Sequence, residues 1–477
     1  MPASLFVNGV SGVTGEPLAA PDPARIAALL RGDKAEPALR RWLKSIAQAI
    51  GISRWGLPME VDALDVGKAG WGVVFHAAEP AAVRAALAPL IEHRTRQAGN
   101  GIVRTLEMYE GEDWRSWLAR HGAEPGSVVP HRVPYYLLLA GDPARLPFDF
   151  QHALSVEYAV GRLAFDTPEE YALYARSVIE LETAGAAPTG KSAVFFGTRH
   201  DPSTELSADH LVRPLAAGTP ANGLDPAYPG VAERWGFETR ELWGEAATRA
   251  NLGDVFSAPA GSAPPALLFT ASHGVGWPKG HASQRPTQGA LVCQDWPGHG
   301  GVEPGHLYTA GDVPDDARVH GMVCFLFACY GAGTPERDEF LHEPGQPPPA
   351  IADAPFVARL PQRLLAHPRG GALAVVGHLE RAWGYSILGA SDEPQLQPFR
   401  NALGAILRGW PVGHAMQDFH QRYAVLSTRI SEMLERASFG AALPEGELAV
   451  TWVERNDARN YAVLGDPAVR LRVEGPA

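Results

Sequence analysis

Two stretches of this 477-residue chain place a reactive side chain directly after an apolar run and follow it with glycines. The first is Leu-Leu-Phe-Thr-Ala-Ser-His273-Gly274-Val-Gly276, the second Cys-Phe-Leu-Phe-Ala-Cys329-Tyr330-Gly331-Ala-Gly333. Amide hydrolysis needs a nucleophile, a base and a pocket for the oxyanion. A cysteine supplies a thiolate, whose pKa an adjacent imidazolium lowers below its usual value of about 8.5. Histidine is the side chain best suited to exchange protons near neutral pH. The main-chain N–H groups of Gly274 and Cys329 are the candidate oxyanion donors, because both sit where the chain turns out of a strand. Spacing alone leaves alternatives open. Cysteines on apolar strands are often small buried hydrophobes, which is how Cys324 and Cys293 read. His378, in Val-Val-Gly-His-Leu-Glu, also follows a strand and competes as the base.

Other chemistries lack their residues. The sequence has no CxxC pair and no HExxH, and His299 and His306 have no clear third ligand. There is no GxxxxGK[ST] phosphate loop, no GxGxxG after a strand and no GxSxG elbow. Neither a metal nor a cofactor is expected.

His273 and Cys329 are 56 residues apart, room for one crossover between neighbouring strands. From about residue 188 onward, continuous apolar strands alternate with helices, the pattern of an α/β fold with a mostly parallel sheet covered on both faces. In such sheets the site lies outside the carboxyl ends of the strands, which selects the positions after Ser272 and after Ala328. Tyr135–Ala140 and Tyr158–Leu163 read as earlier strands. Thr167-Pro168-Glu169-Glu170 reads as a helix start, and Ala184–Gly190 as a linker. The expected division is a leader over 1–125, the remainder of a smaller α/β subdomain over 126–187, and a catalytic domain over 188–477. Within the leader, helices are expected at Ala24–Leu30, Leu39–Ala49, Pro80–Ile91 and Trp114–His121, and a strand at Gly72–His76. No chemistry is legible there. The echo between Leu137–Leu146 and Ala462–Leu471 reads as shared turn chemistry at two strand exits.

Composition bounds the function. A 45% hydrophobic content permits a large core. A net charge of −12, from 41 basic and 53 acidic residues, argues against broad binding to nucleic acid or anionic membranes. No apolar stretch reaches the roughly 18 to 20 residues of a membrane helix. The N-terminus lacks the basic-then-apolar pattern of a secretory signal. Three cysteines in so long a chain fit a reducing compartment, so a cytoplasmic protein is expected.

Separate places carry, in order, a resemblance: Tyr-Tyr-Leu-Leu-Leu-Ala-Gly-Asp-Pro at 135–143, the stretch from Tyr158 to Glu170, the His273 and Cys329 motifs, the segment 374–386 and the closing Ala462–Leu471. Together they resemble caspase-like cysteine peptidases, in particular CHAT-domain and gingipain-like members. The resemblance implies a caspase-like α/β fold preceded by a smaller subdomain. It also implies endopeptidase activity by a dyad, with Cys329 as nucleophile and His273 as general base and acid. The strand before Glu380 lines the cleft in that clan. Glu380 and Trp383 are therefore the expected substrate-binding residues, suited to an Arg or Lys on the acyl side of the scissile bond. Thr334–Pro355, polar and proline-rich, is expected to be a mobile activation loop, cut or ordered by an upstream protease or regulator. The expected partner is a specific protein or peptide substrate, in a bacterial defence or programmed-death pathway. Phe327-Ala328 before the cysteine and Tyr330-Gly331 after it depart from the usual acidic residue and Ser-Gly. The alternative is a catalytically silent scaffold on the same fold.

Overall fold

Runs such as Val323–Phe327, with every side chain buried, cannot lie at a surface; they need partners on both faces and both edges. A computed structural model describes residues 6–31, 56–223, 226–258, 262–341, 346–389, 394–443 and 445–472. The helix expected at Leu39–Ala49 lies outside the described residues.

The strands, in chain order, are β1 (Gly9–Ser11), β2 (Trp71–His76), β3 (Val103–Met108), β4 (Tyr136–Ala140), β5 (Ala159–Leu163), β6 (Gly190–Gly197), β7 (Glu238–Trp243) and β8 (Pro265–Ala271). They continue with β9 (His273–Gly276), β10 (Leu291–Val292), β11 (Leu307–Tyr308), β12 (Val323–Phe327), β13 (Gly333–Thr334), β14 (Phe356–Val357), β15 (Ala374–His378) and β16 (Tyr461–Gly465). A ten-stranded sheet runs in the order β3-β2-β4-β5-β16-β15-β12-β8-β6-β7. Pairing within β2–β5 and within β6, β7, β8, β12 and β15 is parallel. The fold is mixed α/β, a large and mostly parallel sheet flanked by helices. β16 runs antiparallel to β15 over five residues and meets β5 at one pair, Leu464 and Arg162.

Within the span read as a leader, β2 and β3 are part of this sheet, and their apolar side chains belong to the same core as those of β8 and β12. Ala184–Gly190 joins the helix Pro168–Thr183 to β6, where the chain passes from one half of the sheet to the other. That helix begins with the expected cap: Thr167 and Glu170 each bond the other's backbone N–H, with Pro168 at the first position. A second, four-stranded sheet, β1-β9-β10-β11, is entered by the chain directly after β8. It carries its own apolar cluster of Val10, Val275, Val292 and Trp296.

Candidate active site

Three adjacent parallel strands set the geometry. Their register aligns Gly197 of β6, Ala271 of β8 and Phe327 of β12 at one level. His273 and Cys329 each stand two residues beyond it, and Asp201 stands four beyond. Parallel pairing thus delivers an acid, an imidazole and a thiol to one edge of the sheet.

His273 is fully buried. Its Nε2 lies 2.8 Å from Oδ2 of Asp201, and its Nδ1 is buried with no hydrogen-bond partner. Asp201 also caps the helix Pro202–Ser207, its Oδ1 accepting from the N–H of Thr204 at 3.0 Å. Burial works against charge on Asp201. The His273 ring and the N–H and hydroxyl of Thr204 outweigh it and hold the carboxyl well below the ordinary aspartate range. An ionised Asp201 accepts from Nε2–H, which leaves Nδ1 as the ring nitrogen without a partner. His200 and Trp296 pack near the imidazole, with ring centres 6.1 Å from it in each case. Burial, reinforced by His273, pushes His200 down to about 4, so at neutral pH it is uncharged.

Cys329 is also fully buried, and burial pushes its thiol up to about 12. Its Sγ accepts from the N–H of Ala382 at 3.2 Å. The next residue, Tyr330, has φ of +59°, and Glu380, whose carbonyl accepts from the Tyr330 N–H, has φ of +81°. Two non-glycine residues held in the left-handed region, bonded to each other beside Cys329, mark a backbone fixed by its surroundings.

The main-chain donors expected at Gly274 and Cys329 converge. Both N–H groups point at one oxygen, the carbonyl of Asn8, at 3.0 and 2.9 Å. These are the lengths an oxyanion pocket requires. Gly274 must be glycine here, because a Cβ would collide with the carbonyl of Cys329. The sequence gives no sign that Asn8 enters the site.

The other candidates lie differently. Glu380 is fully buried, and its carboxylate is bonded to Arg381 and to the N–H of Glu339. Arg381 in turn holds Asp338 through two bonds, at 3.0 and 2.9 Å. Glu380 is thus part of a buried ion cluster and not a reader of basic side chains. The desolvation of this cluster, with Asp338 alongside, pushes its carboxyl up against the opposing pull of Arg381. The indole of Trp383 packs inward against Phe340, and its main chain bridges Val7. His378 is buried on β15, its Nε2 3.4 Å from Asp457 and its ring against Tyr461. The segment expected to be a mobile loop is tied down over its described residues. β13 pairs with β14, Arg337 bridges Ala350, and Asp338 is clamped by Arg381. Cys293 and Cys324 are buried, and burial raises both thiols.

Among the described residues, one group has metal-ligand proximity: Asp149, His152 and Glu339, with ligand atoms within 4.8 Å of one another. Arg459 pairs with both carboxylates and already supplies a cation there.

Asp201 is the candidate residue that the sequence reading missed, brought to His273 by the fold. It was signalled by His200-Asp201-Pro202, a strand exit one strand away from His273, with Thr204 completing a cap.

No family model matches the sequence, and no curated protein sequence resembles it. In fold, the chain is similar to the complex of Porphyromonas gingivalis RgpB pro- and mature domains, at 12% identity and a TM-score of 0.46, over 84% of this chain and 80% of that one. It is similar to the same degree to a solved structure described as a protease, at 12% identity and a TM-score of 0.45, over 84% of this chain and 78% of that one.

Proposed function

We propose that the protein is a cysteine endopeptidase. The carrying observation is the pair of N–H groups, of Gly274 and Cys329, closing on a single peptide carbonyl oxygen next to the Cys329 thiol. In this reading Nδ1 of His273 takes the thiol proton, and the thiolate attacks a carbonyl carbon whose oxygen is held by the two N–H groups. The Ala382 N–H steadies the negative sulfur. Asp201 positions the imidazole and stabilises its charged form. Protonated His273 then gives its proton to the leaving amine, and water, deprotonated by the same nitrogen, releases the acyl group.

Arg381 occupies the carboxylates of Glu380 and Asp338, so Glu380 is not proposed as the reader of a basic side chain. Membership of the CHAT group, and a place in a defence or death pathway, rest on the sequence resemblance alone.

The test is hydrolysis of a mixed peptide library by the full chain, compared with its Cys329→Ala and His273→Ala variants. Each variant is expected to lose at least about a thousandfold in rate, with similar residual rates, because parts of one catalytic unit are not additive. Equal turnover by wild type and Cys329→Ala would overturn the reading, and no turnover by the wild type would favour the scaffold alternative.

A further inference from the structure

The substrate cleft is filled by the chain's own N-terminus, laid out as a substrate would be. Phe6, Val7 and Asn8 run antiparallel to Ala382–Gly384. The Asn8 N–H donates to the carbonyl of Ala382 at 2.9 Å, and the Gly384 N–H to the carbonyl of Phe6 at 2.8 Å. An extended peptide added to a strand-like edge in this way is held by its main chain and read by its alternate side chains. The carbonyl that ends this segment is the Asn8 oxygen between the two oxyanion donors. Beyond it, Gly9–Ser11 pairs in parallel with β9, Gly9 opposite Gly274. Gly9 lies on the nucleophile itself: a Cβ built there would stand 2.5 Å from Sγ of Cys329 and 2.7 Å from its Cβ. The chain then turns back, with the Leu18 N–H donating to the Gly9 carbonyl at 3.0 Å. A merely structural strand has no reason to place one carbonyl on two strand-end donors and one glycine on a thiol.

We infer that residues 6–11 are an intramolecular substrate, cut by the protein at the Asn8–Gly9 bond, and that the primary pocket is built for asparagine. The inference rests on the peptidase reading above and names its substrate class. The Asn8 side chain is completely buried, and its Nδ2 donates to Oγ of Ser207 at 3.1 Å. Ser207 is set by its own bond to the carbonyl of Thr204, on the helix that Asp201 caps. Among the described residues no carboxylate contacts the Asn8 amide, so a buried guanidinium or ammonium at this place would find no counter-charge. Asn8 Oδ1 is buried without a partner. A neutral acceptor tolerates that far better than the carboxylate of an aspartate.

The chemistry balances with water as the only co-reactant. The thiolate of Cys329 forms a C–S bond to the Asn8 carbonyl carbon. The C–N bond to Gly9 breaks, and the proton held by His273 moves to the Gly9 nitrogen. Water then attacks the thioester, gives a proton to His273, and the sulfur leaves as thiolate. The products are a carboxylate at Asn8 and an amine at Gly9.

The experiment is intact-mass and N-terminal analysis of the full chain over time, beside its Cys329→Ala and Asn8→Arg variants, with the same preparations given a mixed peptide library. The expected result is a wild-type species beginning at Gly9, absent from Cys329→Ala and formed at least about a hundredfold more slowly by Asn8→Arg. Library cleavage after asparagine is expected alongside. A wild-type chain that stays intact at Asn8–Gly9 while cutting library peptides after other residues would overturn the inference and leave the peptidase reading standing. No cleavage of either kind would overturn both. Release of residues 1–8 from Cys329→Ala would show a cut made by something else and would also overturn it.

Discussion

Among the described residues, two Asp-Pro pairs follow a strand and set the carboxylate against a nitrogen-bearing side chain, and they do opposite things. Asp466, after β16, is fully buried. It accepts from Nε of Arg94 at 2.8 Å and from Nε1 of Trp71 at 3.0 Å, while Arg94 also bonds both oxygens of Glu182. Asp201, after β6, uses one oxygen for a helix cap and the other for His273. The residue type and the strand-exit context are shared; the partner differs. A guanidinium never gives up its proton under ordinary conditions, so the Arg94 cluster can only hold structure. An imidazole exchanges its proton near neutral pH, so the same carboxylate becomes a device for moving protons. The lesson is that an acid at a strand end is not a site until its partner can titrate.

Substitutions that separate charge from shape sharpen this contrast. Asp201→Asn keeps a good helix cap but removes the charge behind His273. We expect kcat to fall by about a hundredfold or more with KM unchanged and thermal stability nearly unchanged, and Asp201→Glu to restore part of the rate. A rise in KM with constant kcat would move Asp201 from positioning the imidazole to binding substrate. Arg94→Met should do the reverse. It leaves two buried carboxylates without their cation and should lower stability by about 3 to 5 kcal/mol in denaturant melts, with unchanged kcat per folded molecule. A stable Arg94→Met protein would show that the cluster carries little of the fold.

A smaller effect follows from pH. Burial opposes the charge on Glu182, but Arg94 and His93 outweigh it and hold its carboxyl down to about 2. The folded value lies below the unfolded one, so Glu182 contributes stability above the unfolded pKa of about 4.3. That contribution, roughly 3 kcal/mol, is lost as pH falls from there towards 2. Glu182→Gln should flatten this part of the stability curve. An unchanged acid limb would assign it to other carboxylates.

How far the sequence could be read depended on what kind of group carried each feature. His273 and Cys329 were legible because a buried strand leaves an apolar run and a strand exit leaves glycines. Asp201 was legible in kind, as Asp-Pro with a threonine three residues on, but its neighbour in space is set by strand order, which sequence does not print. The proposed role of residues 6–9 rests largely on main-chain N–H and C=O groups, common to every residue; its traces in the sequence are Asn8 and Gly9. The helix Glu445–Arg459 was missed because its apolar stripe is short, Leu448, Ala449, Trp452 and Val453, and much of the rest of its buried surface is polar, including Glu454, Arg455, Asn456 and Asp457. The segment from Thr334 read as mobile because polar residues and prolines suggest solvent. Arg381, some 40 residues later, pairs with Asp338 and ties it down.

The most direct test of the account is covalent labelling of the full chain with a thiol-reactive electrophile on a Phe-Val-Asn peptide, followed by peptide mapping. The account predicts an adduct on Cys329, absent from Cys293 and Cys324, strongly slowed in His273→Ala and much weaker with Arg in place of Asn. An adduct confined to Cys293 or Cys324, or equal labelling of Cys329 with and without His273, would contradict it.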